Sequence, residues 1–296
     1  MTTLLAACTD ATSPINISMS SIDGPCVLKC DYNYKYGTYT PNIANKGNYL
    51  ALNYSGKSNP VKYNDEMYNV TQIRIYHPSL HTYETNRADG EILIIHNGPG
   101  KNLIVSVPFI SGAKTDKGSV QFKTLITEAA LRVPNVNESV TTSSGNFSLD
   151  NFIPDKKGYF SYTGTLPYDP CNGTYSYIVY NIEDALNIEA SLLTKLKQTI
   201  TTTDIPVKTN SLFYNKNGAN SRGNDDNIYI DCQPVDEAGN ILVQEGPGGV
   251  NTNTGTMGPN VTMEQIAPFL YVILGLVVAS GIVYGGKYLF KKMRKE

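Results

Sequence analysis

All three histidines of the chain, His77, His81 and His96, fall between residues 71 and 98, close in sequence to Arg74, Tyr76 and Glu91. Imidazoles gathered beside a carboxylate suggest either proton transfer near neutral pH or a metal site. The His77 to His81 spacing imitates an i, i+4 pair on a helix, but Pro78 directly follows His77 and discourages a helix there. Strand alternation turns His96 away from Arg74 and Glu91. The three therefore read as structural histidines that hydrogen-bond inside or beside a sheet, and neither a metal nor another cofactor is expected.

The elements that must position these groups are two strands, 71–77 and 91–96, in which β-branched residues alternate with other types at period two. If Ile73 and Ile75 face a core, Gln72, Arg74 and Tyr76 share the opposite face of the first strand. Glu91, Leu93 and Ile95 share one face of the second. Residues 102–110 form an apolar run that reads as a buried strand, and 117–131 carry apolar residues at helical spacing. A second helix is predicted over 189–198 behind a polar start able to cap it, and 135–145 read as a surface loop. With 21 tyrosines, no tryptophan and many glycines, the 296-residue chain has the composition of a β-rich fold with many turns.

Five stretches resemble the α-class carbonic anhydrases. Residues 72–77 (QIRIYH), 80–82 (LHT) and 91–96 (EILIIH) are similar to the family patterns QFHFHW, EHT and ELHLVH. Residues 13–17 (SPINI) match its opening segment, and 42–56 (NIANKGNYLALNYSG) look like its NNGHxVxxxF strand. Within 147–180, Leu149, Ile153, Pro154, Tyr159, Phe160, Tyr162, Gly164, Leu166 and Pro170 fall in register with the segment that ends in paired threonines and a proline. Residues 225–235 look like its closing stretch. The resemblance implies a mainly β (α+β) carbonic anhydrase-like fold with a twisted, mostly antiparallel central sheet and few short helices.

It also implies what has been lost. The family's three zinc-binding histidines fall on Arg74, Tyr76 and Leu93, its proton-shuttling histidine on Asn48, and its paired threonines on Pro167 and Tyr168. Arginine has no lone pair to give, leucine has no donor atom, and an amide does not titrate near neutral pH. Gln72 and Glu91 stand where the family orients its metal-bound imidazoles. A carboxylate left without a partner is costly to bury, so Arg74 is expected to pair with Glu91. A non-enzymatic domain is expected.

Five cysteines are present: Cys8, Cys26, Cys30, Cys171 and Cys232. By resemblance to extracellular family members, Cys26 should pair with Cys171. Cys30 with Cys232 is a plausible second pair, leaving Cys8 free or available to another chain. Sequons for N-glycosylation occur at Asn16, Asn53, Asn69, Asn137, Asn146, Asn172 and Asn260.

Residues 266–286 contain no charge and at about 1.5 Å per residue would span a bilayer's hydrocarbon core. Lys287, Lys291, Lys292, Arg294 and Lys295 follow, which by the positive-inside rule places the N-terminal domain outside. The organisation expected is a segment 1–12, an ectodomain 13–244, a Gly/Asn/Thr-rich linker 245–265, a transmembrane helix 266–286 and a basic tail 287–296. The apolar run 4–7 is too short to read as a signal peptide. Without that tail the chain holds 19 basic and 25 acidic residues, a mildly acidic balance that suggests no nucleic-acid partner. An inactive domain on a C-terminal anchor resembles the carbonic anhydrase-like virion surface proteins of poxviruses and other large DNA viruses. That resemblance implies attachment to a host-cell glycan or protein. The alternatives are a structural virion membrane protein that packs against capsid, neighbours or further copies of itself, and an active hydrase with a relocated metal.

Overall fold

A computed structural model of the chain describes residues 8–26, 29–143, 145–202 and 204–221. The expected linker, span and tail over 245–296, the closing stretch 225–235, Cys232 and Asn260 lie outside these residues. Among the described residues no helix is long and apolar enough to cross a membrane.

Alternating β-branched residues build the centre of the fold. In chain order its main strands are β1 (Asn42–Asn45), β2 (Leu50–Leu52), β3 (Glu66–Tyr76), β4 (Gly90–Asn97), β5 (Asn102–Ser111), β6 (Tyr159–Thr165), β7 (Thr174–Tyr180) and β8 (Leu212–Asn215). The helices are α1 (Lys117–Arg132) and α2 (Ala190–Thr199). The sheet runs β1-β2-β3-β4-β5-β7-β6-β8, with Ser139–Thr141 added outside β1 and Ile22–Pro25 outside β8. Along this path only two pairings are parallel, that of β5 with β7 and that of β8 with the strand Ile22–Pro25. The two strands expected around the histidines are present and longer than predicted, as is the third.

Period two decides which side chain meets which core. Ile73 and Ile75 of β3 and Ile92 and Ile94 of β4 enter one core with Phe122, Leu125, Ile126 and Ala129 of α1. Each such buried side chain contributes roughly 1.5–3 kcal/mol. Tyr76, Leu93 and Ile95 face the other way, into a second core with Phe160, Tyr162, Tyr177 and the N-terminal Ile15 and Ile17. Gly90 opens β4 where a side chain would strike the Phe109 ring and the Tyr76 carbonyl, so the strand can enter only there as glycine.

The first helix begins behind Asp116, whose carboxylate accepts from the Ser119 N–H at 2.8 Å. The second lacks the expected polar cap, since Glu189 makes no side-chain capping bond. Its buried Leu192, Leu193 and Leu196 hold it instead. Residues 139–141 are also more ordered than a loop, because β1 would otherwise leave its outer edge unpaired and Val140 packs against the core.

The disulfides differ from those expected. Cys8 is bonded to Cys171 and Cys26 to Cys30, with Cα separations of 5.4 and 5.5 Å. Reciprocal bonds between Thr12 and Thr165, and Cys8 N–H to the Pro167 carbonyl, lay the N-terminal segment along residues 165–171, so Cys8 and not Cys26 reaches Cys171. Cys26 follows the Ile22–Pro25 strand at the far edge of the sheet, where the Cys30 N–H donates to the Cys26 carbonyl at 3.0 Å. Cys30 is thereby taken from Cys232, and Cys8 is not free.

Of the sequons, Asn53, Asn69, Asn137, Asn146 and Asn172 are exposed. Asn16 is half-buried and its side-chain oxygen accepts from Thr82 and Thr85.

Candidate functional site

Strand register brings together Arg74, Tyr76 and Leu93, the positions on which the resemblance places the family's metal ligands. Leu93 lies opposite Arg74, Glu91 opposite Tyr76 and Ile95 opposite Gln72. Arg74 donates from Nε to Gln72 Oε1 at 2.6 Å and from Nη1 to the Tyr76 hydroxyl at 3.2 Å. Its guanidinium also lies over the rings of Tyr49 and Tyr168, 4.6 and 4.3 Å from their centroids. Such a contact is worth about 0.5–2 kcal/mol, the upper end applying where water is excluded. A cleft of about 340 Å³ opens onto Arg74, Gln72 and Thr71, walled by Ile95, Leu166, Tyr168, Pro170 and Tyr175.

Arg74 and Glu91 do not pair as expected. Glu91 is fully buried and accepts from the backbone N–H of Leu80 and His81, at 2.7 and 3.1 Å, and from His81 Nδ1 and the Ser106 hydroxyl. The 77–90 connection folds back over β4 and supplies the Leu80 and His81 donors, β5 supplies Ser106, and Arg74 finds Gln72 two residues away on its own strand. Burial alone would raise the Glu91 pKa, but His81 and the converging hydrogen bonds outweigh it and hold the carboxyl below its ordinary range. Gln72 keeps an orienting role, now toward an arginine. Glu91 orients nothing in the cleft.

The histidines do not form a cluster. His77 donates from Nδ1 to the Asp89 carbonyl at 2.8 Å, and His81 bridges Glu91 and the Tyr162 hydroxyl. His96 lies on the opposite face of the sheet, as the alternation requires. Its Nδ1 donates to the Leu103 carbonyl at 3.2 Å, which leaves Nε2 to accept from Tyr36, itself hydrogen-bonded to Tyr32. Burial pushes His96 down to about 4 from an ordinary value of 6.5.

That shift carries a pH prediction. His96 stays neutral in the folded protein while the unfolded chain takes up a proton below pH 6.5, so its contribution is complete above 6.5 and is lost as pH falls toward 4. The loss should reach about 3 kcal/mol. Urea unfolding between about pH 7 and 4.5 measures it, and His96→Gln should flatten the slope in that window. An unchanged slope would assign the titration to another group.

Against known proteins, a family model for eukaryotic-type carbonic anhydrases matches residues 4–215. The chain belongs to that family. Solved structures agree in fold. A dioscorin complexed with ascorbate superposes with a TM-score of 0.58 at 19% identity, covering 70% of this chain and 87% of that one. The α-carbonic anhydrase of Thermovibrio ammonificans with the inhibitor sulfanilamide gives 0.56 at 19% identity, covering 70% and 88%. The α-carbonic anhydrase of Photobacterium profundum gives 0.58 at 17%, covering 70% and 90%. No curated protein sequence matches the chain.

The side chains at the carbonic anhydrase metal positions do not fit zinc. Leu93 offers no donor atom, and the Arg74 guanidinium would set a positive charge against the cation. Tyr76 would have to ligate as phenolate. Burial pushes its pKa up, and although Arg74 draws it back the hydroxyl still titrates only at about 12. Pro167 has no hydroxyl at the first threonine position, and Tyr168 at the second covers Arg74. Asn48 sits in the turn before β2, one residue from the Tyr49 ring that Arg74 contacts.

Several residues of the site are not singled out by the sequence. Tyr49 and Tyr175 are two of 21 tyrosines, and their place beside Arg74 depends on strand neighbours far apart in the chain. The His81–Glu91 link had one available signal, a histidine and a carboxylate in a single stretch, and Glu84 and Asp89 between them offered the same signal.

Proposed function

We propose that this carbonic anhydrase-family chain is a membrane-anchored surface protein of the kind that attaches a virion to a host cell. Its domain recognises a ligand and does not hydrate CO₂. The observation that carries the reading is Arg74, held by Gln72 and Tyr76 under the rings of Tyr49 and Tyr168 where the family needs a metal-bound hydroxide. Hydration at neutral pH depends on a metal that lowers the pKa of its water to about 7. The cleft offers a fixed cation and aromatic walls instead, which suit binding. Anchoring is supported by the uncharged stretch 266–286 and the basic residues behind it.

Three measurements on the purified full chain test this. Metal analysis should find zinc far below one ion per chain, and CO₂ hydration should not exceed the buffer rate. The chain displayed on vesicles should bind cells saturably, with competition by the same chain free in detergent. Stoichiometric zinc with turnover, or no binding to cells, would overturn the reading. Repeating the cell binding after glycosaminoglycan removal separates a glycan ligand from a protein one.

A further inference from the structure

The cleft contains a guanidinium with no carboxylate beside it among the described residues. None of the ion pairs among the described residues includes Arg74. Arginine carries five N–H donors, of which Nε and one on Nη1 are committed to Gln72 and Tyr76. The remaining donors, both on Nη2 among them, have no partner among the described residues. Tyr168, in the cleft wall, has a buried hydroxyl that also lacks a hydrogen-bond partner among them. No other charged side chain among the described residues lines the cleft.

From this geometry we infer that the cleft is a carboxylate site, in which Arg74 supplies the fixed positive charge that an anionic ligand requires. The inference rests on the reading of the domain as a binding module and names the chemistry of what it binds. One uncompensated cation matches one negative charge. A dianion such as sulfate would bring a second charge into a cleft whose other lining is neutral, at a desolvation cost nothing there offsets. The tyrosine rings lie against the guanidinium, so its open donors are those along its edge. A planar pair of carboxylate oxygens meets that edge in a forked arrangement. Ile95, Leu166 and the half-exposed Tyr175 provide an apolar and aromatic wall for a ring or short chain bearing the carboxylate. The ligand class is a small monocarboxylate, or a monocarboxylate group at the end of a larger molecule.

Benzoate is the probe. Isothermal titration of the purified full chain with sodium benzoate at constant ionic strength should show saturable one-to-one binding, and sodium sulfate should bind at least about tenfold more weakly. Arg74→Gln should weaken benzoate by about tenfold or more, and Arg74→Lys, which keeps the charge but loses the fork, should fall between. Near-UV circular dichroism of the tyrosines reports whether the variants are folded. If Arg74→Gln does not fold, the Arg74 Nε resonance of the unaltered protein decides, because benzoate should shift it and sulfate should not. No saturable benzoate binding, sulfate binding as tight as benzoate, or folded Arg74 variants binding as well as the parent would each overturn the inference. Failure here with zinc still absent sinks only the ligand assignment. Stoichiometric zinc with CO₂ turnover would sink the binding-module reading itself.

Discussion

Removing the Cys8–Cys171 bridge by the paired substitutions Cys8→Ala and Cys171→Ala should lower the stability of the oxidised protein by roughly 3–5 kcal/mol. The bridge closes a loop of sequence separation 163, which contains most of the central sheet, so the unfolded chain regains much freedom when it is cut. It also holds down the N-terminal segment whose Ile15 and Ile17 enter the second core. The Cys26–Cys30 bridge spans a separation of only 4 and should cost about 2 kcal/mol on removal. Denaturant unfolding of both double variants, with thiol titration of the parent, measures the difference. Equal losses, or more than one free thiol per chain among the five cysteines of the folded oxidised protein, would contradict the pairing.

The second large effect is expected at Glu91. Its buried carboxylate gathers two backbone N–H groups, His81 and Ser106, and through His81 it reaches Tyr162. Glu91→Ala leaves these donors without an acceptor in a site closed to water and should cost about 3–5 kcal/mol. The pH behaviour follows from the sign of the shift. A carboxyl held below its ordinary value of 4.5 stabilises the fold above that value, and the contribution is lost as pH falls through the lower folded-state value. This acid limb begins at 4.5, near the lower end of the His96 window, and a titration of His96→Gln, which lacks that window, separates the two. Stability of Glu91→Ala within about 1 kcal/mol of the parent would show that the network is dispensable.

The two strands around the histidines were legible because β-branched residues recur at period two in each, even though the register shifts between Ile95 and His96. Ile73, Ile75, Ile92 and Ile94 on one face and Arg74, Tyr76, Glu91 and Leu93 on the other follow from period two alone. The face of His96 follows in the same way, as do the two helices from their apolar spacing. Edge structure was less readable. Residues 139–141 are short and polar, and they become a strand only because β1 offers an open edge. The cap of α2 was misread because burial of three leucines holds a helix without one.

Motif order along the chain placed the family, and residue type at its metal positions showed that Arg74 and Leu93 cannot ligate zinc. Pairing between side chains was decided only in three dimensions. Arg74 had two oxygen partners within reach along the sequence, Gln72 and Glu91. The folding of 77–90 over β4 surrounded Glu91 with donors and left Gln72 to the arginine. The resemblance assigned Cys171 to Cys26, and it is bonded to Cys8 because the N-terminal segment carrying Cys8 lies beside residue 165. Covalent pattern and periodicity are local properties that a sequence carries outright. Which donor meets which acceptor, and which sulfur meets which, depends on distances that exist only once distant segments have packed.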